Sequence, residues 1–260
     1  MNRPVHVIAA SLFCPAGIGT GGLGPARSGP VPDFDPIASG VSRKHLKTMT
    51  RAVQLGVAAV HAALSNAPGW QDFPPERRGL FVGASPQSGD AEDLVPALAA
   101  AGGDPERFAR DGLPLIPPLW LVKGLSNNVL GYASAQHDLR GDNGNWCDER
   151  LGGANAIAQA VHAVAEGRVD IAIAGGADAL VGAESVVGGP CGEGAAFVVL
   201  VAGVLVAGAP GARGIRAGAP SEIGIETDFG ELGAAAIPVA WVRAWLRGGA
   251  VNVGGIRQDG

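Results

Sequence analysis

The sequence is poor in the residues that build covalent frameworks and metal sites. Its three cysteines, Cys14, Cys147 and Cys191, are far apart and odd in number, which argues against a disulfide framework and against a paired CxxC ligand set. The five histidines are scattered, with no HExxH or HxxxH pairing, so neither a metal nor another cofactor is expected. Charged residues make up 17% of the chain, and no charge run or Ser/Gly-rich linker divides it. Residues 1–260 are therefore read as a single domain. Cations are outnumbered, leaving a formal charge of −5. Such a molecule has no general attraction to phosphate backbones or anionic membranes, so no nucleic acid and no membrane partner is expected. Long apolar runs are lacking too: Val5 to Leu12 is too short to span a bilayer, and a cytoplasmic location is expected. What the chain has in quantity is glycine, 42 residues, and proline, 19, alongside 47% hydrophobic residues. That mixture describes a loop-rich globular protein with enough apolar surface for a large core.

Apolar runs and helical periodicity alternate. Val5 to Leu12, Gly79 to Ala84, Val169 to Ala174 and Ala195 to Val206 read as buried strands, with a last short strand at Ala250 to Val253. From Ser42 onward, Leu46, Met49, Val53, Val57, Val60 and Leu64 recur at helical spacing, with Ser42 as N-cap. Ala91 to Phe108 reads as a helix interrupted at Gly102 and Gly103, and Leu113 to Leu125 as irregular. Ala154, Ile157, Ala158, Val161, Val164 and Ala165 place a stripe of mostly small residues on a helix ending at Gly167. Leu232 to Leu246 completes the helices. The alternation predicts an α/β fold with a covered sheet.

Gly17, Gly19 and Gly22 form a GxGxxG pattern after the first strand, which in a dinucleotide site must open a helix. Pro25, Pro30 and Pro32 follow and cannot continue one. An NAD(P)-dependent oxidoreductase is kept only as a second alternative. Cys147 is read as a loop thiol without chemistry, or, beside Arg150 near a helix start, as a nucleophile. His61 and His162 are read as packing residues, and Cys14 and Cys191 as small apolar side chains. Arg43, Lys44 and Lys47, with Arg51, form a basic stripe, which reads as a solvated helix face or as a surface for an acidic partner.

The stretch Cys147-Asp148-Glu149-Arg150-Leu151-Gly152-Gly153-Ala154-Asn155-Ala156-Ile157, its helix, Gly167-Arg168-Val169-Asp170, and the strand ending Ala174-Gly175-Gly176-Ala177-Asp178 together resemble the β-ketoacyl synthase family. There a nucleophilic Cys is followed by Ala-Thr-Gly-Ala-Asn-Ala-Ile, a small-residue helix, a Gly-x-x-Asp turn and a strand ending Ala-Gly-Gly-x-Glu. Asp33-Phe34-Asp35-Pro36, Asp138-Leu139-Arg140-Gly141, Gly192-Glu193-Gly194-Ala195 and Gly230-Glu231-Leu232-Gly233-Ala234-Ala235 follow the family's order.

The resemblance implies a thiolase-like layered αβαβα fold, with residues 1–222 as an N-terminal half and a reduced second pseudo-repeat in 223–260. It places Arg150 at the nucleophile position. A guanidinium cannot attack a thioester, but it can contact a partner or clamp a carboxylate or phosphate. Glu231 stands at one of the family's histidine positions, and the His-Gly-Thr segment that carries the other is absent. The implied role is a partner subunit, similar to a chain-length factor, in fatty acid or polyketide assembly. It would pair with an active ketosynthase as a heterodimer or with a second copy as a homodimer, and/or dock an acyl carrier protein on Arg43, Lys44, Lys47 and Arg51. The alternative is an active acyltransferase or 3-oxoacyl synthase using Cys147.

Overall fold

The computed structural model describes residues 3–19, 21, 23–25, 27–85, 91–203, 213–215, 217–218, 230–246 and 253–254. Among the described residues nine strands run in chain order as β1 (Val5–Cys14), β2 (Gly17–Ile18), β3 (Arg78–Gly83), β4 (Asn143–Trp146), β5 (Ile171–Ala179), β6 (Glu193–Ala202), β7 (Arg213–Ile215), β8 (Ala217–Gly218) and β9 (Val253–Gly254). The helices are α1 (Arg51–Ser65), α2 (Val95–Ala101), α3 (Pro105–Arg107), α4 (Trp120–Lys123), α5 (Asn128–His137), α6 (Gly152–Ala165), α7 (Glu184–Val187) and α8 (Ala236–Leu246). Seven strands form one sheet in the order β2-β1-β6-β5-β3-β4, with β7 also on β1, while β8 and β9 pair separately. β3 is parallel to β4 and β5, whereas β6 is antiparallel to β5 and β1.

Both faces of the sheet are covered, as the continuous apolar strands require. Ala196, Val198 and Leu200 of β6 pack toward α6 and α8, while Ala195, Phe197 and Val199 face α1 and α5. β1 changes parity midway. Val5 and Val7 share a core with Ala10, Leu12 and Cys14, because a bulge between Val7 and Ala9 inserts one residue into the β1–β6 register. One extra residue flips every later side chain to the other face.

Several elements depart from the sequence reading. Ser42 makes no side-chain cap bond and precedes a 3-10 turn, Arg43–Thr48. Met49 and Thr50 are then extended, and α1 starts at Arg51 with the Thr50 hydroxyl accepting from the Val53 amide at 3.4 Å. Two extended residues break the helix, and the second supplies the real cap. α2 stops at Gly102, which adopts the left-handed conformation. α5 and β4 lie where the sequence shows neither an apolar run nor a helical stripe. Gly17 and Ile18 pair antiparallel with Cys14 and Phe13 in a hairpin rather than opening a helix, which removes the dinucleotide reading; Gly22 lies outside the described residues. Of the last expected strand, Val253 is in β9, while 250–252 lie outside the described residues.

Arg3 closes the far end of α6, donating to the carbonyls of Val164 and Val169 at 2.8 Å. Asp170 bonds both Arg77 and Arg3, and the Arg77 guanidinium chiefly holds its carboxyl at about 2. Between α1 and α5, His61 stacks on His137 with ring centroids 5.3 Å apart, and Trp70 packs edge-on against His137. Gln136 approaches the His137 ring nitrogen at 3.2 Å. Burial, with the neighbouring His61, lowers the His137 pKa from 6.5 to about 4.

The unfolded chain therefore binds this proton more readily than the folded one. The stabilisation is complete above pH 6.5 and is lost as pH falls toward about 4. Urea midpoints should drop across that window by the equivalent of about 1–2 kcal/mol, allowing for partial exposure. His137→Phe should flatten the dependence; an unchanged slope would contradict the assignment.

Candidate functional site

The chain leaves the edge strand β4 through Cys147 and Asp148 into a 3-10 turn, Glu149–Leu151, and enters α6 at Gly152. Glu149 sits at φ 47°, a left-handed conformation that costs a residue with a Cβ about 1–3 kcal/mol. This strained elbow presents Arg150 immediately before the helix. Gly152 and Gly153 then carry the first turn without side chains. A Cβ on Gly153 would collide with the Ala234 carbonyl and the Pro238 ring, one on Gly83 with the Gly153 backbone, and one on Gly176 with Ala234 again. The ends of β3 and β5, the start of α6 and residues 231–235 thus meet backbone to backbone.

Asp178 ties that junction together. It is 3% exposed at the end of β5 and accepts from the Ser85 hydroxyl, from the Ala234 amide at 3.1 Å and from the Ala179 amide at 3.0 Å. Burial pushes its carboxyl pKa up, against the pull of those three hydrogen bonds. Gly233, at φ 50°, leaves no room for a Cβ beside the Asp178 carboxylate. Its amide donates to Glu231 Oε1 at 2.9 Å. The Glu231 backbone is held by Pro190 and Gly192, at 2.8 and 2.9 Å. The second carboxylate oxygen of Glu231 accepts from the Arg150 guanidinium.

The two positions singled out from sequence, Arg150 and Glu231, are therefore bonded to each other. Arg150 is 57% exposed and Glu231 13%, so the pair closes the front of the junction with its arginine toward solvent. Cys147 is a free, half-buried thiol whose sulfur accepts from the Asn145 side-chain amide at 3.3 Å. No histidine accompanies it. His6 lies at the opposite end of the sheet, beside Val201, His45 packs on Tyr132, His61 on His137, and His162 is exposed ten residues into α6. Among the described residues no cluster of three or more His, Cys, Asp or Glu side chains could hold a metal ion. A guanidinium paired with a carboxylate offers neither a nucleophile nor a free base. Asp178, with three donors on it, is a structural acceptor. Its role went unread in the sequence, although it stands at the acidic place of the Gly-Gly-x-acid motif.

The basic stripe divides in two. Arg43, Lys44 and Lys47 are exposed on the 3-10 turn. Arg51 instead turns into the protein, reaching Glu193 Oε1 at 2.5 Å, with its guanidinium 4.6 Å over the Phe34 ring. Glu193, 3% exposed, also accepts from the Val31 amide at 2.8 Å. Arg51 thus neutralises a buried carboxylate while its side chain stays 38% exposed.

The model for the β-ketoacyl synthase N-terminal domain matches residues 22–196, more than half of the chain. Three solved structures are similar. The ishigamide ketosynthase/chain length factor is 23% identical with a TM-score of 0.64, covering 82% of this chain and 62% of that one. AntDE:AntF, a type II PKS acyl-carrier protein in complex with its ketosynthase bound to the hexaketide, is 18% identical with a TM-score of 0.63, covering 78% and 64%. A β-ketoacyl synthase from Burkholderia phymatum is 20% identical with a TM-score of 0.59, covering 78% and 60%. The likeness gives the fold, a thiolase-like α/β architecture, and the chain spans about three-fifths of the length of these proteins.

The geometry ranks the side chains by stability. Asp178→Ala leaves the Ala234 amide and Ser85 hydroxyl without an acceptor and should cost about 2–4 kcal/mol. Arg150→Ala breaks a pair that is half exposed and should cost less than about 1 kcal/mol. Urea denaturation of both variants checks the order, and the reverse ranking would contradict the junction described here.

Proposed function

The chain belongs to the β-ketoacyl synthase family, and we propose that it is a ketosynthase-type subunit of fatty acid or polyketide assembly that does not itself condense acyl chains. It carries a ketosynthase-type domain. The observation behind the rest is the Arg150–Glu231 ion pair. Where the family places an attacking thiolate there is a cation, and where it places a histidine there is the carboxylate that neutralises this cation. Condensation needs a nucleophile and donors aimed at a developing enolate; a carboxylate would repel that charge.

A non-condensing chain of this fold serves an assembly through a partner, in the manner of a chain-length factor. One similar structure is described as a ketosynthase/chain length factor and another as a ketosynthase with its acyl-carrier protein. β4 is the last strand on its side of the sheet, so one of its edges has no neighbouring strand among the described residues. That edge is suited to pairing with an active ketosynthase or a second copy. Arg43, Lys44 and Lys47, with Arg51 beside them, are the surface for an acidic carrier protein. We read residues 1–260 as one domain acting in the cytoplasm, with the segment from 223 onward as the counterpart of the family's second half. Leu232, Ala235, Val239 and Trp241 share their core with α6 and β1, which supports a single domain. No helix among the described residues is long and apolar enough to cross a membrane.

Incubation of the purified chain with an acyl-CoA or acyl carrier protein, followed by intact mass measurement, tests the reading. No covalent acyl adduct is expected. An adduct lost in Cys147→Ala would overturn it in favour of an active acyltransferase. Affinity purification from the native host should recover a ketosynthase alongside the chain; a monodisperse protein without one would contradict the partner role.

A further inference from the structure

A cleft of about 420 Å³ opens between the 3-10 turn Arg43–Thr48 and α5. Asn128, Gly131, Tyr132, Ala135 and Gln136 line it from α5, and Ser42 and His45 line it from the other side. We infer that this cleft binds a neutral aromatic ring bearing an amino group, the amino group donating to Asn128 and the ring lying against Tyr132. This binding role goes beyond the assembly role above and uses none of its residues.

The five α5 positions are spaced i, i+3, i+4, i+7 and i+8, so they form one face of the helix. That face carries no charge and no aliphatic side chain larger than alanine, which suits neither a packed core nor open water. The core side of α5 is instead Val129 and Ala133. Asn128 is 8% exposed, and its amide nitrogen donates to the carbonyls of Val122 and Lys123 at 2.7 and 3.1 Å. Both carbonyls can only accept, which fixes the direction of the amide. Asn128 Oδ1 therefore faces away from them, on the residue that lines the cleft, and meets no donor among the described residues. Gln136 repeats the pattern, since its amide nitrogen donates to the Gly40 carbonyl at 2.9 Å and leaves Oε1 as the open group. The Tyr132 proton is committed too: Thr48 donates to the His45 carbonyl at 2.9 Å, so Thr48 Oγ1 accepts from Tyr132 at 2.6 Å.

This wall thus offers acceptors whose own hydrogens are spent. A buried amide oxygen without a donor costs free energy, and a ligand N–H removes that cost. The exposed Arg43, Lys44 and Lys47 stand next to His45 in the chain and disfavour a cationic donor, while the acceptors repel an anion. A neutral N–H satisfies both constraints. The rings of Tyr132 and His45, with centroids 5.3 Å apart, give it an aromatic surface. A Cβ on Gly131 would meet nothing within 4 Å, so the space on this face between Asn128 and Tyr132 is open. Those two residues are one turn apart, about 6 Å along the helix, a span that one amino-substituted ring covers.

Tyr132 is the chain's one tyrosine, so incorporation of 3-fluorotyrosine gives a single ¹⁹F signal at the cleft. Titrating the full chain with adenine should shift that signal saturably. The analogue 6-dimethylaminopurine, which keeps the ring and loses both amino hydrogens, should bind at least about five-fold more weakly. The adenine affinity should hold steady between about 0.05 and 0.5 M salt, because no charge pair forms. Gly131→Leu, which improves helix propensity and fills the open space, should abolish the shift while leaving the circular dichroism spectrum intact; if that variant does not fold, the comparison of the two purines on the unaltered chain decides. No saturable shift, equal affinity for the two purines, an affinity that falls with salt, or undiminished binding in folded Gly131→Leu would overturn the inference. None of these results depends on a ketosynthase partner, so failure here leaves the assembly reading standing, and failure of that reading leaves this one standing.

Discussion

Gly83, Gly153 and Gly176 bring the ends of β3 and β5 and the start of α6 into backbone contact around Ala234, and the placement of Asp178, Glu231 and Arg150 follows from this packing. A methyl group at any of the three would push backbone against backbone, which cannot yield as a flexible side chain does. Where the glycines leave no room for side chains, the junction's polar groups are met by two carboxylates, Asp178 and Glu231. Asp178 takes the Ala234 amide and the Ser85 hydroxyl. The resulting turn at Gly233 aims Glu231 outward, and Glu231 takes Arg150. A chain of contacts therefore runs from the glycine packing to the solvent-facing guanidinium.

Electrostatics gives that order a direction. The start of a helix carries partial positive charge and favours an anion, by about 0.3–1 kcal/mol at an exposed end. Arg150 in the turn before α6 runs against this preference, and Glu231 offsets it. A thiolate in the same place would gain from the helix and lose from Glu231. The pair is thus self-consistent as a pair. A comparable pairing governs the other side of the sheet, where Glu193 is too buried to stand alone. Arg51 answers it, and the Phe34 ring covers Arg51. Through that contact the loop carrying Asp33-Phe34-Asp35-Pro36 is held to the start of β6.

The elements that sequence periodicity disclosed are those whose own residues pay for their burial: β1, β3, β5 and β6 through continuous apolar runs, and α1, α6 and α8 through apolar faces. β4 reads Asn-Gly-Asn-Trp, a composition depleted in strands, and exists because its backbone pairs in parallel with β3. α5 carries only Asn128, Val129 and Ala133 into the core, too little for a stripe, and is held by packing on α1. At Gly56 of α1 a Cβ would lie 2.7–2.9 Å from Val129 and Ala177, so the closeness of α1 to α5 rests on a missing side chain. Within the candidate site, Arg150 and Glu231 were both legible as departures from family motifs. Their bond was not, because residues 81 positions apart are joined by tertiary packing alone. The Arg51–Glu193 pair is hidden for the same reason, since a cation in a run of cations gives no sign that a buried carboxylate distant in sequence will bond it.

If the turn before α6 is the seat of an absent nucleophile, supplying the sulfur and removing the opposing charge should expose it. The double variant Arg150→Cys, Glu231→Gln, treated with an acyl thioester and read by peptide mass mapping, is predicted to carry one acyl group at the substituted position, favoured there by the helix start. Acylation mapped to Cys147, or a double variant that stays unmodified while still folded, would contradict the account.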